Sequence, residues 1–302
     1  MGIPGKRSMV VACLLLAGAA RAQEPDQWNG VKVVTRYARA LRGQEGTVED
    51  GTKFRIYTVK KVEEDRVTVE SGPVRGWFLA ADVVPLDKAV EFYTGEIEAL
   101  PNNYAALNWR GMIYKELDEV DKAIADFTEA IKIGREGAHP YNNRGNAWTA
   151  KKEFDKAIAD FDEAIRIKPD HAMAYSNRAR AHRKLGHYDR TLADFDEAIR
   201  LDPKFASAHN GRAWMLATCP EDRFRDGEKA VAAATTACEL TAWKDAHIID
   251  TLAAAYAEMG YYEQATRRQQ EAVDKVGMAN PIRKEFVAHL ALYKKKKPCR
   301  EE

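Results

Sequence analysis

The strongest constraint on this chain is a period. "DKAIADFTEAIKIGRE" from residue 121, "DKAIADFDEAIRIKPD" from 155 and "DRTLADFDEAIRLDPK" from 189 follow one another at 34-residue steps without a gap. Such self-similarity marks a fold made by stacking one supersecondary unit, because a single helix pair cannot bury its apolar face alone. With each preceding helix included, the units are 104–137, 138–171 and 172–205. Each carries a small residue (Gly111, Gly145, Ala179) followed three positions later by a ring (Tyr114, Trp148, His182). In the middle unit the second helix then presents Ala157, Phe161 and Ala164 on one face, and Pro169 ends it. Small residues there admit a close neighbour, and the ring fills the remaining gap.

The 34-residue period and the pattern Tyr141, Gly145, Trp148, Ala157, Phe161, Ala164, Pro169 resemble the tetratricopeptide repeat. Two further units fit with departures. The fourth, 206–245, keeps Ala213 and Leu216 but needs five extra residues before Ala230, so a longer inter-helix turn is expected. The fifth, 246–279, keeps Leu252, Ala253, Tyr256, Gly260, Tyr262, Ala265 and Ala272, while Gln269 replaces the usual ring and predicts a weaker interface. Ala89, Tyr93 and Pro101 extend the register backward to a half repeat over 86–103. At the other end, 280–302 reads as a capping helix with Phe286, Leu290 and Tyr293 on one face, then the basic "KKKKPCREE" as a solvated tail. The resemblance implies a mainly α fold, an α-solenoid that holds a peptide or partner protein in a concave groove.

Before the array the period changes. "TKFRIYTV" and "DRVTVES" alternate apolar and polar residues, and Asp50-Gly51 is a hairpin signal. Residues 31–85 read as four or five short antiparallel strands closing into a small barrel, and "GWFLAADVVPLD" resembles bacterial SH3-like domains. Trp77 and Phe54 are expected to form its core, or else Tyr37, Tyr57 and Trp77 line a groove for a peptide or cell-wall material. No polar linker separates this module from the half repeat, and a barrel so small is marginal alone, so the two are expected to dock.

Residues 1–22 run from Lys6 and Arg7 through an apolar stretch, Met9 to Ala20, to Ala20-Arg21-Ala22, the pattern of a cleaved signal peptide. A lipoprotein reading through Cys13 leaves almost no apolar run after Arg7. The expected location is therefore periplasmic or secreted, with no membrane span after cleavage. Without Lys6, Arg7 and Arg21 the formal charge moves from +1 to −2, which argues against a nucleic-acid partner. The three remaining cysteines, Cys219, Cys238 and Cys299, are too few and too oddly spaced for a disulfide framework or structural zinc.

One arginine per unit stands beside the packing face: Arg110, Arg144, Arg178 and Arg212, again 34 residues apart. At about 100° per residue, Arg144 lies at the edge of the face carrying Tyr141, Gly145 and Trp148. Counting level positions across antiparallel helices places it beside Asp160 in its own unit and Asp126 in the preceding one. The expected result is a structural ladder of Arg110, Asp126, Arg144, Asp160, Arg178, Asp194 and Arg212. Arginine suits it because a planar fork serves acceptors on both sides.

The opposite side of the first helices carries Asn108, Met112, His139, Asn142, Asn146, Arg180, Arg183, Asn210, Trp214, His247 and Asp250. A column of asparagines, each both donor and acceptor, suits an extended peptide backbone. Trp214 is the natural anchor, and Arg180, Arg183 and Lys184 favour an acidic partner. The lysine, asparagine and arginine clamp by which some such repeats grip a C-terminal carboxylate is absent: the matching places hold Asn108, Met112, Asn143, Met173 and Asn177.

The sequence contains no HExxH, GxSxG, phosphate-binding loop or dinucleotide fingerprint, so no enzymatic activity and no cofactor are expected. Two roles remain: an exported interaction scaffold, and an envelope-attachment module whose SH3-like domain binds wall material while the repeats act as a spacer.

Overall fold

The structure is a computed structural model. It describes residues 30–35, 41–42, 48–49, 57–63, 66–71, 74–79, 82–134 and 137–301. The expected signal peptide, Tyr37, Phe54 and the Asp50-Gly51 turn lie outside these. The chain divides into two compact units, Met1–Arg135 and Glu136–Glu302.

Among its described residues the first unit contains seven strands: β1 Lys32–Thr35, β2 Leu41–Arg42, β3 Val48–Glu49, β4 Tyr57–Glu63, β5 Arg66–Ser71, β6 Val74–Leu79 and β7 Val83–Pro85. They form one antiparallel sheet in the order β3-β2-β6-β5-β4-β1-β7. The expectation of four or five strands is thereby corrected, because β2 and β3 are two residues each, too short for alternation to reveal. Among the described residues β3 and β7 are not paired, so the sheet is not closed.

Period-2 burial builds its core. Val33, Tyr57, Val59, Val67, Val69, Phe78 and Val83 face one side, with Tyr57 edge-on to Phe78 at 5.1 Å. A bulge between Val59 and Lys61 shifts the β4–β5 register by one residue. Val34 and Val84 point the other way. They join Ala89, Tyr93, Ala106 and Ile113 in a second cluster, so the sheet and the first helices share apolar packing.

The described helices of this unit are α1 Leu86–Ala99, α2 Tyr104–Glu116 and α3 Val120–Ile133. Asn103 caps α2 by accepting from the Ala106 N–H at 3.1 Å.

Among its described residues the second unit is a run of nine α-helices: α4 Ala138–Ala150, α5 Phe154–Ile167, α6 Ala172–Lys184, α7 Tyr188–Leu201, α8 Ala206–Thr218, α9 Gly227–Leu240, α10 Ala246–Glu258, α11 Tyr262–Lys275 and α12 Ile282–Lys294. Each packs on its sequence neighbours, and α6, α8 and α10 also touch in series. The close approach is literal at Gly145, where a Cβ would stand 2.6 Å from Cε1 of the fully buried Phe161.

The turn between the helices of a unit needs a left-handed residue. Asp118 and Lys152 (φ +62°) and Gly186 (φ +74°) supply it at 34-residue steps, and Gly260 (φ +77°) does so in the last unit. The next step after Gly186 falls on Pro220, whose ring forbids that conformation. The chain there takes the long way round, through a short 3-10 turn at Asp222–Phe224. Arg225 staples this loop, donating to the Cys219 carbonyl at 2.8 Å and to Glu258 on α10 at 2.9 Å. Among the described residues no helix is long and apolar enough to cross a membrane.

Candidate interaction surface

The recurrent arginines form two-pronged ion pairs. Arg110 Nε and Nη2 each donate to Asp126 at 2.7 Å. Arg144 does the same to Asp160 at 2.8 and 2.7 Å, and Arg178 to Asp194 at 2.9 and 2.6 Å. The three aspartates are buried. The hydrogen bonds from Asp126 and Asp160 hold the guanidinium pKa of Arg110 and Arg144 above the usual range, against burial.

The links to the preceding helix pair differ from the expected ladder. Arg110 Nη1 reaches Thr94 at 3.0 Å, Arg178 Nη1 reaches Asp162 at 2.5 Å, and Arg212 Nε reaches Asp196 at 2.6 Å. The position serving the next unit is thus two residues beyond Asp160 or Asp194, because the next first helix lies offset along the second helix. Among the described residues Arg212 makes no ion pair within its own unit, where the buried Ala233 and Ala234 stand.

Of the predicted groove residues, Asn108 and Met112 sit half-buried on α2 in the first unit. The others lie in the second unit. His139 is exposed at the start of α4, its ring 5.4 Å from that of the buried His171. Burial, then the charge of Lys168, lowers the His139 pKa. Asn146 is half-buried on α4.

Asn142 does not face an open groove. It is 3% exposed and its side-chain oxygen accepts from Asn177 Nδ2 at 2.9 Å, while Asn177 in turn accepts from Arg180 at 2.5 Å. The asparagine thus ties α4 to α6.

Asp250 is likewise covered. It is 4% exposed and accepts from Gln269 Nε2 at 2.6 Å, with His289 Nδ1 at 2.8 Å. α12 supplies the cover: Phe286 packs edge-on to His247 at 5.4 Å, and His289 lies 5.9 Å from Trp214. Burial alone would lower the His289 pKa, but its bonds to Asp250 and Cys299 outweigh that and raise it to about 10. Gln269 is fully buried and also donates to the Phe286 carbonyl at 3.0 Å. It therefore does not leave a weak interface, but bridges α10, α11 and α12.

What remains open is a pocket of about 280 Å³ between α6, α8, α10 and α12. Arg180 and Arg183 form one end, Asn210 and Trp214 the middle, and His247 and Glu285 the other side. Asn210 Oδ1 and Arg183 Nε are buried without a hydrogen-bond partner. Among the described residues Arg180 has no carboxylate partner and donates only to Asn177. Desolvation first, then the nearby charge of Arg183, lowers its pKa, although the residue is exposed. Trp214 is half-buried, so it serves both packing and the pocket wall.

The tail also departs from expectation. Among its described residues only Lys294 to Lys297 are exposed. Cys299 is 6% exposed among Leu216, Ala217, Ala254 and Tyr293. Arg300 Nη2 lies 2.7 Å from Glu258, and the Glu301 N–H donates to the Thr218 carbonyl at 2.9 Å. The Glu301 carboxylate meets Arg183 at 3.1 Å and Lys184 at 2.9 Å. The basic run concealed an apolar and acidic hook. Cys219, Cys238 and Cys299 are all free and buried, and burial pushes the Cys238 thiol up to about 11.

Comparison with known proteins agrees with this architecture. Residues 104–135, 138–171 and 172–205 match the tetratricopeptide repeat family. No curated protein matches the chain. Among solved structures it is similar to TTC0263, a thermophilic tetratricopeptide-repeat protein of Thermus thermophilus, at 18% identity and TM-score 0.53, over 63% of this chain and 100% of that one. It is also similar to yeast Tom70 (19% identity, TM-score 0.55, 68% of this chain and 43% of that one). The APC/C hetero-tetramer Cut9-Hcn1 gives 15% identity and TM-score 0.60, over 70% of this chain and 40% of that one. Three consecutive units of this chain are thus tetratricopeptide repeats, and its helices have the fold of tetratricopeptide-repeat proteins.

Proposed function

We propose that the protein is a non-enzymatic interaction scaffold that binds a peptide or partner protein on the face formed by α6, α8 and α10. The pocket carries this reading. A cation without a counterion (Arg180), a buried amide oxygen without a donor (Asn210) and a half-exposed indole (Trp214) converge on one cavity. Unsatisfied polar atoms cost stability unless a ligand completes them, and arginine with tryptophan is the composition of interface hot spots. The Cut9 structure is a hetero-tetramer with Hcn1, which supports an assembly role for this fold. Arg110, Asp126 and their repeats serve cohesion in this account, while Asn146 and His139 extend the surface toward α4.

The leader-like residues 1–22 favour an exported, periplasmic or secreted protein. A second reading, attachment to the cell envelope through an SH3-like N-terminal sheet, draws on one observation: Arg66 stands 4.6 Å over the half-buried ring of Trp77. Tyr57 is buried in that sheet and takes no part. Recovery of partners from the native cell by the full-length chain decides between the two. Arg180→Glu should abolish capture of the partner while Arg66→Glu leaves it; the reverse pattern, with loss of cell-wall retention, establishes the second reading instead.

A further inference from the structure

The C-terminal hook resembles a ligand more than a terminus. It is anchored by a buried side chain, Cys299, and by a backbone hydrogen bond to the end of α8. Its Glu301 carboxylate lies on the cations at the end of α6. Arg183, one of those cations, also lines the open pocket. Arg180 next to it has no carboxylate of its own, so the basic surface is larger than the one residue that covers it.

We propose that Cys299 to Glu301 is a built-in occupant of the interaction surface, and that the partner this surface accepts is an acidic peptide segment that displaces Glu301 from Arg183 and Lys184. The inference rests on the groove reading above and deepens it. Displacement is chemically balanced: an incoming carboxylate replaces the Glu301 carboxylate on the same two cations and gains Arg180. Opening also frees Cys299, so thiol accessibility reports the state of the hook. Because only the open fraction binds, apparent affinity rises as the hook is weakened.

The test uses the full-length chain and, as probe, a fluorescent peptide of residues 298–302 (PCREE), capped at both ends and net acidic, under reducing conditions. In Glu301→Gln, alkylation of Cys299, read site by site by mass spectrometry, should accelerate, and the probe should bind about tenfold tighter than to the unaltered chain. Adding Arg183→Glu should abolish that binding, and a probe with both glutamates changed to glutamine should bind at least tenfold more weakly. Unchanged Cys299 alkylation, equal probe affinity for both chains, or binding that ignores the probe's charge overturns the proposal. Photo-crosslinking from Ser207 reads the groove independently. A partner adduct there with no effect of Glu301→Gln refutes the hook alone, whereas loss of the adduct refutes the groove reading as well.

Discussion

Arg144 and Asp160, sixteen residues apart, are joined twice: Nε lies 2.8 Å from one carboxylate oxygen and Nη2 2.7 Å from the other. The aspartate is 5% exposed, so removing its partner strands a buried charge. Arg144→Met should cost roughly 3 to 5 kcal/mol. A thermal unfolding midpoint that does not move would show that the pair contributes nothing to cohesion.

The left-handed turns make the opposite kind of prediction. Lys152 holds φ at +62°, where an L side chain is strained by about 1 to 2 kcal/mol. Lys152→Gly should relieve most of this and raise the midpoint, even though it removes a side chain. Gly186→Ala, at φ +74°, should lower it. Urea titrations of the two variants should therefore move in opposite directions.

Gly145→Ala adds one methyl where Phe161 leaves no room. The ring is fully buried and cannot swing aside. Overpacking of this kind costs about 1 to 3 kcal/mol, against the small gain that alanine normally brings to a helix. Equilibrium unfolding with a net stabilised variant would contradict the packing described.

Two histidines bracket the pH range of stability. The fold raises the His289 pKa to about 10 through Asp250 and Cys299, despite burial. Its contribution is complete below the unfolded value of about 6.5 and is lost as pH rises toward 10. His171 is the reverse case. Burial first, then the charges of His139 and Lys168, lower it to about 4, so its contribution is present above about 6.5 and is lost as pH falls toward 4. His289→Gln should flatten the alkaline limb of the stability profile, and His171→Leu the acid limb.

The period in the sequence carries the helices, their facing residues and the arginine–aspartate pairs of the three units 104–205, because all three follow from helical geometry and a fixed step. It does not carry the stagger between units. The residues that receive the next arginine, Thr94, Asp162 and Asp196, also recur at the 34-residue step or twice it, but as a mixed threonine and aspartate column. Angular position put Asn142 and Asp250 on the open side correctly for an isolated helix. It could not know that Asn177 would reach across to one and that α12 would cover the other. Gln269 looked like a lost ring because its partners, Asp250 and Phe286, lie 19 and 17 residues away. In the tail, four lysines outweighed one cysteine and one glutamate that do the binding. Val34 and Val84 share a cluster with Ala89 and Tyr93, so a cut at residue 86 would split a core; the decisive experiments therefore use the whole chain.

The central claim is that recognition takes place at the pocket between α6, α8 and α10. Ser207 lines that pocket and is exposed, Lys156 is exposed on α5, and Arg66 is exposed on the sheet. A photoreactive amino acid placed at each position in turn, in the full-length protein in its native cell, reads the claim directly. Adducts to a discrete partner from position 207, with none from 156 or 66, are the predicted result; adducts from 66 alone, or equally from 156, would contradict it.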